Sequence, residues 1–376
     1  MGSLFQGVSW SLFIHLPGFL TDLGASEAEV GVLFGVSAVA AILVRPPVGY
    51  ALDHYGRKPL IHIGNVANIG SILLYLTVSS LGPWLYVVRI LHGASLAMLF
   101  SAFFTYGSDV VPASRRTEGF ALFGVSGLLP LAMAGVLGDF VLSAAGFTQL
   151  FLVAAGAAVM AGAFGLPLPE RRPEVREGHK RGGFVSVIRW PSLAPVWLMT
   201  GGLAFVLTAY FTFLRTFVDE TGIGSVGLFF AVYGGAAVLL RIVFGWVPDR
   251  FGPKRVLYPA MGSLAAGFVV LTFATGNSHI ALAGLLCGVG HGYAFPILSG
   301  LVATRAPDED RGSAITFFTA LLDVGLLVAG PLLGWIITWR GYSAMFLFAA
   351  GFIVVATIAF AVWDAHMLRT RAPAVA

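Results

Sequence analysis

Residues 48–60 read VGYALDHYGRKPL, and residues 244–256 read FGWVPDRFGPKRV. Each stretch places a few charged residues between long apolar runs. A shift of 196 positions (245 minus 49) takes Gly49 to Gly245. The same shift relates four further pairs: Arg45 and Arg241, Asp53 and Asp249, Gly56 and Gly252, and Lys58 and Lys254. Because the repeat preserves spacing as well as charge, we interpret the chain as a tandem duplication.

The composition indicates a membrane protein. Of its 376 residues, 57% are hydrophobic and 11% are charged, with a mean hydropathy of +0.88. A soluble domain carries about 25% charged residues, so this chain has too little polar surface to coat a globule in water. The net charge of +4 does not indicate a nucleic-acid partner, because the basic residues lie in short breaks between apolar runs. A single cysteine, Cys287, excludes a disulfide scaffold and a cysteine-based metal site, and we expect no metal or other cofactor.

The apolar runs predict an all-α membrane protein with twelve transmembrane helices, since about 20 residues cross the hydrocarbon core. The predicted spans are 3–22, 27–53, 59–80, 83–109, 117–144, 146–168, 192–219, 225–249, 254–275, 278–304, 311–338 and 341–364.

The distribution of basic residues predicts the topology. Twelve spans place the breaks alternately on two sides, and Arg340 is the only basic residue outside the spans on one of them. The other side holds Arg57, Lys58, Arg115, Arg116, Arg171, Arg172, Arg176, Lys180, Arg181, Arg189, Arg250, Lys254, Arg255, Arg305, Arg311, Arg369 and Arg371. Cytoplasmic loops carry the excess of Lys and Arg, so we expect a multi-pass protein of the cell (inner or plasma) membrane with both termini cytoplasmic.

One long polar break divides the chain. Residues 169–190 read PERRPEVREGHKRGGFVSVIRW and follow the sixth span. We predict a six-helix bundle over 1–168, a cytoplasmic linker over 169–190 and a second six-helix bundle over 191–376.

The stretch GYALDHYGRKP resembles the cytoplasmic signature of the major facilitator superfamily, in which a glycine is followed four residues later by aspartate and then by Gly-Arg-Lys. The resemblance covers the whole chain, because twelve spans, a basic central linker and a second copy after the eighth span also fit. It implies two pseudo-symmetric six-helix bundles that rock around a central site. It also implies that Asp53 holds the two bundles together at the cytoplasmic face while the transporter faces outward.

The motif places charges at the unfavourable ends of two helix dipoles. Asp53 falls at a helix C-terminus, and Arg57 and Lys58 fall at the next N-terminus, so each needs a partner elsewhere. We expect Asp53 to face Arg57 or another helix N-terminus, and Arg57 or Lys58 to lie near Asp109. The alternative is that the loop is charged only to fix topology. The predicted gate comprises Gly49, Asp53, Gly56, Arg57, Lys58, Asp109, Gly245, Asp249 and Lys254. In the second copy Pro253 replaces the arginine, which predicts a weaker gate there.

Charged residues inside spans cost about 2.5–3.5 kcal/mol each on insertion scales, so each one requires a reason. Asp323 lies twelve residues after Arg311, about 18 Å into the eleventh span, with no charged neighbour in sequence. A buried carboxylate there is a candidate proton carrier; the alternative is a neutral packing residue. Arg45 and Arg241 lie near the cytoplasmic ends of their spans, where we favour a structural role.

Four further residues are proton-coupling candidates. Arg89 and Gly93 resemble the superfamily's fourth-span motif, with His92 in place of its glutamine. In the family's proton antiporters that arginine assists proton transfer. The alternative is that Arg89 only anchors helices to one another. His15, His92 and His291 lie in spans that line the path in this family, and histidine titrates near neutrality. Each could equally be an ordinary core residue.

The path-lining spans are rich in aromatic residues and hold few amides, which favours an amphipathic organic substrate over a sugar. The candidates for substrate contact are Phe104, Tyr210, Phe211 and Tyr293. The fifth span, with Gly124, Gly127, Pro130, Gly135 and Gly138, partly resembles the motif of the superfamily's exporters.

We therefore predict a proton-coupled antiporter of the drug or metabolite exporter type, which binds a small molecule and protons, contacts membrane lipids and no nucleic acid, and works as a monomer. The alternative is a proton symporter or facilitator for uptake of a small organic solute. No HExxH, GxSxG or Walker A pattern is present, so we expect no enzyme.

Overall fold

The computed structural model describes residues 1–110, 116–170, 187–306 and 311–371, with all side chains in those ranges except 53–54, 108–110, 116–123, 311–313 and 368–371. Ten helices in this part of the chain are long and apolar enough to cross a membrane. Their bounds are Glu27–Tyr55, Arg57–Leu74, Pro83–Val110, Arg116–Ala145, Phe147–Gly165, Ala194–Thr221, Val226–Phe244, Pro253–Thr272, Asn277–Arg305 and Arg311–Arg371.

Two irregular segments account for the difference between these ten helices and the twelve predicted spans. The first span is broken into Gly2–Ser11, a 3₁₀ turn at Leu12–His15 and Leu16–Asp22. Pro17 explains the break, because it has no N–H to donate to the carbonyl four residues earlier. The last helix, Arg311–Arg371, has non-helical torsion angles at Gly341 (φ 81°, ψ 174°), which divide it into the eleventh and twelfth spans. The arrangement agrees with the predicted all-α fold of twelve spans.

The turns between spans follow from local chemistry. Ser26 and Glu29 form a capping box at the start of the second span: the Ser26 backbone N–H donates to Glu29 Oε2 (2.8 Å), and the Glu29 N–H donates to Ser26 Oγ (3.3 Å). Gly56 and its repeat Gly252 have φ of 96° and 94°, in the region that favours glycine. These two glycines turn the chain between consecutive spans.

The spans pack as two bundles with the same internal pattern. In the first bundle the fourth span packs on the second and third, and the first and third spans pack on the sixth. In the second bundle the tenth span packs on the eighth and ninth, and the last helix packs on the seventh and ninth. The duplicated sequence therefore corresponds to duplicated packing.

Two seams join the bundles: the second span packs on the eleventh, and the eighth packs on the fifth. Each seam contains a close pair of glycines, one from each bundle. A Cβ on Gly31 would collide with the backbone of Gly330, and a Cβ on Gly135 would lie 3.1 Å from the Cα of Gly227. Small residues allow such close approach of membrane helices.

The contacts between the bundles that the structure describes lie mainly at one end of the molecule. We call the end of the molecule that carries the linker the linker end, and the opposite end the far end. Among the described residues, the hydrogen bonds and ion pairs between bundles lie at the far end, apart from one ion pair near mid-span, Arg45 with Asp323. At the linker end Gly49 and Asp249 are exposed, and a Cβ on Gly49 would meet no atom within 4 Å. Among the described residues, therefore, no atom of the second bundle approaches Gly49 closely.

Candidate transport site and gates

The first motif copy is anchored by a residue that the sequence analysis did not select. The carboxylate of Glu170, just after the sixth span, accepts hydrogen bonds from the backbone N–H groups of Arg57 (2.9 Å) and Lys58 (3.4 Å). It caps the N-terminus of the third span, where the helix dipole favours negative charge. Arg57 is buried, and its Nη1 donates to the carbonyl of Leu52 (2.5 Å). The side chains of Asp53 and Asp109, and linker residues 171–186, lie outside what the structure describes, so the predicted Asp53 gate stays a prediction.

The second motif copy has an equivalent anchor. Asp364, near the end of the twelfth span, accepts hydrogen bonds from Lys254 Nζ (2.9 Å) and Arg305 Nη1 (2.6 Å), and its side chain is 1% exposed. In each bundle, therefore, an acidic residue at the end of the last span or just after it lies against the motif loop. The signal in the sequence is an aspartate at the end of an apolar span, which needs a partner.

We expect Asp364→Asn to destabilise the protein. Breaking a buried ion pair costs about 3–5 kcal/mol, and the partial exposure of Lys254 (34%) reduces this towards about 3 kcal/mol. A melt of the purified protein in detergent should show a lowered Tm, whereas Glu29→Gln, at an exposed carboxylate, should lower it less. Equal melting temperatures for Asp364→Asn and wild type would contradict the anchoring role.

Asp323 is paired across the seam. Its Oδ2 accepts from Arg45 Nε (2.7 Å) and lies 2.6 Å from Arg45 Nη2, so the pair joins the second and eleventh spans. The guanidinium of Arg45 also lies over the ring of Phe100 at 5.9 Å. Asp323 has no charged neighbour in sequence, but it has one in space.

A polar cluster closes the far end. Arg215 of the seventh span donates to Asp219 (2.7 Å), and its Nη1 lies 3.3 Å from His15 Nδ1 and 3.7 Å from Asp139 Oδ1. Asp139 also accepts a hydrogen bond from the backbone N–H of Gly227 (2.6 Å). His15 and Asp139 belong to the first bundle, and the other three residues belong to the second. A cavity of about 550 Å³ opens beside the cluster, and Asp139 (27% exposed) lines it.

A second far-end contact lies next to this cluster. Glu27, at the start of the second span, accepts hydrogen bonds from Thr216 Oγ1 (3.0 Å) and the Tyr342 hydroxyl (2.7 Å), both in the second bundle. Glu27 was not selected from the sequence. Its signal is an acidic residue in the first turn of a long apolar helix, which is also typical of ordinary helix ends.

Arg89 and His92 lie together inside the first bundle. Arg89 is 4% exposed and donates to Ser37 Oγ (2.6 Å), Tyr75 OH (3.2 Å) and the Leu33 carbonyl (3.1 Å). His92 Nδ1 lies 3.2 Å from the same Tyr75 hydroxyl. These contacts join the second, third and fourth spans to one another, which favours the anchoring role. Proton transfer through Arg89 or His92 stays a prediction.

His291 pairs with the hydroxyl of Tyr233, inside the second bundle. Of the four aromatic candidates for substrate contact, Phe211 is half-buried and its ring lies 6.5 Å from His291. Tyr210 is 1% exposed and donates to Tyr233, so it belongs to the bundle core.

The other two candidates lie apart from this group. The hydroxyl of Tyr293 donates to the Phe244 carbonyl near the linker end (3.1 Å), and Phe104 stacks on Phe100 in the first bundle. The structure therefore brings Phe211 and His291 together, but it does not gather the four aromatic candidates at one place.

The comparison with protein families identifies the chain. The family model described as Major Facilitator Superfamily matches residues 1–275 and 220–374, which together span nearly the whole sequence. The chain belongs to the Major Facilitator Superfamily. It is a membrane transporter of this type, and not an enzyme.

Its similar relatives are also superfamily members. The chain is 27% identical over 357 residues to the uncharacterized MFS-type transporter YhhS of Escherichia coli (strain K12), covering 91% of this chain and 85% of YhhS. It is 26% identical over 348 residues to an uncharacterized MFS-type transporter of Pseudomonas aeruginosa (strain LESB58), covering 89% and 84%.

Solved structures of superfamily transporters share the fold. The human organic anion transporter MFSD10 matches with a TM-score of 0.72 at 18% identity, covering 96% of this chain and 97% of that one. The POT family transporter PepTSo matches with a TM-score of 0.80 at 12% identity, covering 99% and 97%. At these identities the likeness shows the fold alone.

Proposed function

We propose that this superfamily transporter is a proton-coupled antiporter that exports small amphipathic organic compounds from the cytoplasm by alternating access. The Arg45–Asp323 ion pair is the observation that carries the proposal. It is the one described ionic contact between the bundles that lies near mid-span rather than at the far end. Protonation of Asp323 would remove the ionic part of this contact, so proton binding would change how strongly the bundles are held together.

Alternating access follows from the two ends of the molecule. The far end is closed by the clusters around Arg215 and Glu27, and we take the linker end, where Gly49 and Asp249 are exposed, to be open. With the linker in the cytoplasm, as the basic loops predict, this conformation faces inward. The far-end contacts must break before the transporter can face outward. Each charge-assisted hydrogen bond that breaks costs about 1.5–3 kcal/mol. Contacts of Asp53 at the cytoplasmic end would replace them.

The proton gradient is sufficient to drive such a cycle. One charge that crosses a potential of about 100 mV gains about 2.3 kcal/mol, which supports about a fifty-fold accumulation ratio. The glycine-rich fifth span favours export over uptake. We place the transporter in the cell membrane as a monomer surrounded by lipid, with both termini in the cytoplasm.

Flux in vesicles with an imposed pH gradient tests this proposal. Reconstituted wild type is screened against cationic, neutral and anionic aromatic compounds, and each flux is compared with that of Asp323→Asn. We expect gradient-driven flux of at least one class in wild type, with its loss in the variant. No gradient-driven flux of any class in wild type would overturn the proposal.

A further inference from the structure

The two seams between bundles have the same register but different charges. In each seam a glycine of one bundle meets a glycine of the other, Gly31 with Gly330 and Gly227 with Gly135. Fourteen residues after the first glycine of each pair comes an arginine, at Arg45 and Arg241. Seven residues before the second glycine comes Asp323 in one seam and Leu128 in the other. The duplication therefore retains both arginines but only one of the two carboxylates.

No carboxylate that the structure describes pairs with Arg241 as Asp323 pairs with Arg45. Among the described residues no carboxylate lies within ion-pair distance of Arg241, and its Nε donates a long hydrogen bond to the Gly292 carbonyl (3.3 Å). Its Nη1 points at the fifth span, 2.5 Å from where a Cβ on Gly124 would lie. The absence of a side chain at Gly124 leaves room for the guanidinium of Arg241. Leu128 lies one turn further along the fifth span; it is buried (7% exposed) and carries no charge.

An arginine in this position needs an anion. Arg241 lies in the last turn of the helix Val226–Phe244, and guanidinium groups bind carboxylates through two parallel hydrogen bonds. The residues around Gly292 add apolar surface: His291 precedes it, and the half-buried rings of Phe211 and Phe295 lie 6.5 Å and 6.1 Å from His291.

We propose that Arg241 is the anion-binding residue of the transport site, and that the substrate is an organic anion with a carboxylate or similar acidic head and an aromatic or apolar body. The inference rests on the proposed transport function and names its substrate class. The two seams then have separate tasks. Arg45 holds the Asp323 carboxylate that takes the proton, and Arg241 holds the substrate's negative charge where its own seam has Leu128.

Binding to a matched panel of probes tests the inference. The probes are benzene, naphthalene and indole rings that each carry a carboxylate, an amide or a primary ammonium group. Binding to the purified full chain is measured as the rise in Tm with increasing probe concentration. We expect wild type to bind the carboxylates about tenfold to a hundredfold more tightly than the amides. This is the gain in affinity that one charge-assisted hydrogen bond provides. Arg241→Gln should abolish this preference, and Arg241→Lys should retain part of it.

Two further variants make the result specific to Arg241. Leu128→Asp supplies the missing partner within the protein and should also abolish carboxylate binding, although Arg241 remains. Arg250→Gln, at an exposed arginine of the second motif copy, removes the same charge elsewhere and should keep the carboxylate preference. Equal or tighter binding of ammonium probes, no carboxylate binding to wild type at millimolar concentration, or an unchanged preference in Arg241→Gln would overturn the inference.

The same probes separate this inference from the proposed function. Gradient-driven flux of the ammonium probes alone would leave the antiporter standing and remove the anion site. Carboxylate binding that depends on Arg241 without any gradient-driven flux would leave the anion site standing and remove the antiporter.

Discussion

Vesicles that contain Asp323→Asn are expected to lose gradient-driven transport while they keep exchange of substrate down its own gradient. Asparagine has nearly the shape of aspartate and can still accept a hydrogen bond from Arg45, but it cannot take up a proton. Without proton binding the imposed gradient does no work, so the ratio of about fifty that a pH difference of about 1.7 units supports falls to about one. Energy-independent counterflow needs only the movement of the bundles, and it should persist.

The measurement is initial flux with and without a pH gradient, in parallel with counterflow. Glu29→Gln is the matched control, since it removes one carboxylate from an exposed capping box and should leave both fluxes near the wild-type values. If Asp323→Asn accumulates substrate as wild type does, Asp323 is not the proton carrier.

Gly31→Ala is expected to reduce transport about a hundredfold. A Cβ at this position would collide with the carbonyl of Gly330, so the second and eleventh spans could not close at the far end. Overpacking costs about 1–3 kcal/mol, and a backbone collision belongs at the upper end of that range. The penalty falls only on the conformation with a closed far end, so about 3 kcal/mol shifts the equilibrium between conformations by about two orders of magnitude.

Gly35→Ala, one turn along the same helix, is the control. Its Cβ would lie 3.5 Å from Leu327, an ordinary contact, so transport should stay near the wild-type rate. Both variants are compared by counterflow rate, and by Tm to establish that they fold. Equal rates for Gly31→Ala and wild type would show that close contact of this seam is not required.

The general architecture could be predicted from sequence because it depends on local patterns. Apolar runs of about 20 residues define spans wherever lipid is the solvent, and the 196-residue offset reveals the duplication. The positive φ of Gly56 follows from the turn that a short loop requires. The break in the first span was not predicted, although Pro17 is the signal for it.

The partners of the charged residues could not be predicted. Asp323 and Arg45 are 278 positions apart, and Arg57 and Glu170 are 113 apart. Such pairs depend on how helices rotate and pack, and a single sequence carries no record of that. Pairing at i and i+4 is different, since Arg215 and Asp219 lie one turn apart and their contact follows from helix geometry. Helix geometry alone therefore accounts for the Arg215–Asp219 contact, whereas it carries no information on the link of Arg215 to His15 and Asp139.

The proposed mechanism depends most on opposed movement of the two ends of the molecule. Electron paramagnetic resonance distances measure this directly, with the buried Cys287 replaced by alanine and spin labels attached to introduced cysteines. One pair reports on the linker end, at the exposed repeat-equivalent residues Tyr50 and Trp246, and the other on the far end, at the exposed residues Ser143 and Glu220. As pH and substrate are varied, the linker-end distance should shorten whenever the far-end distance lengthens. Distances that stay fixed, or that lengthen together, would contradict alternating access by rocking of the two bundles.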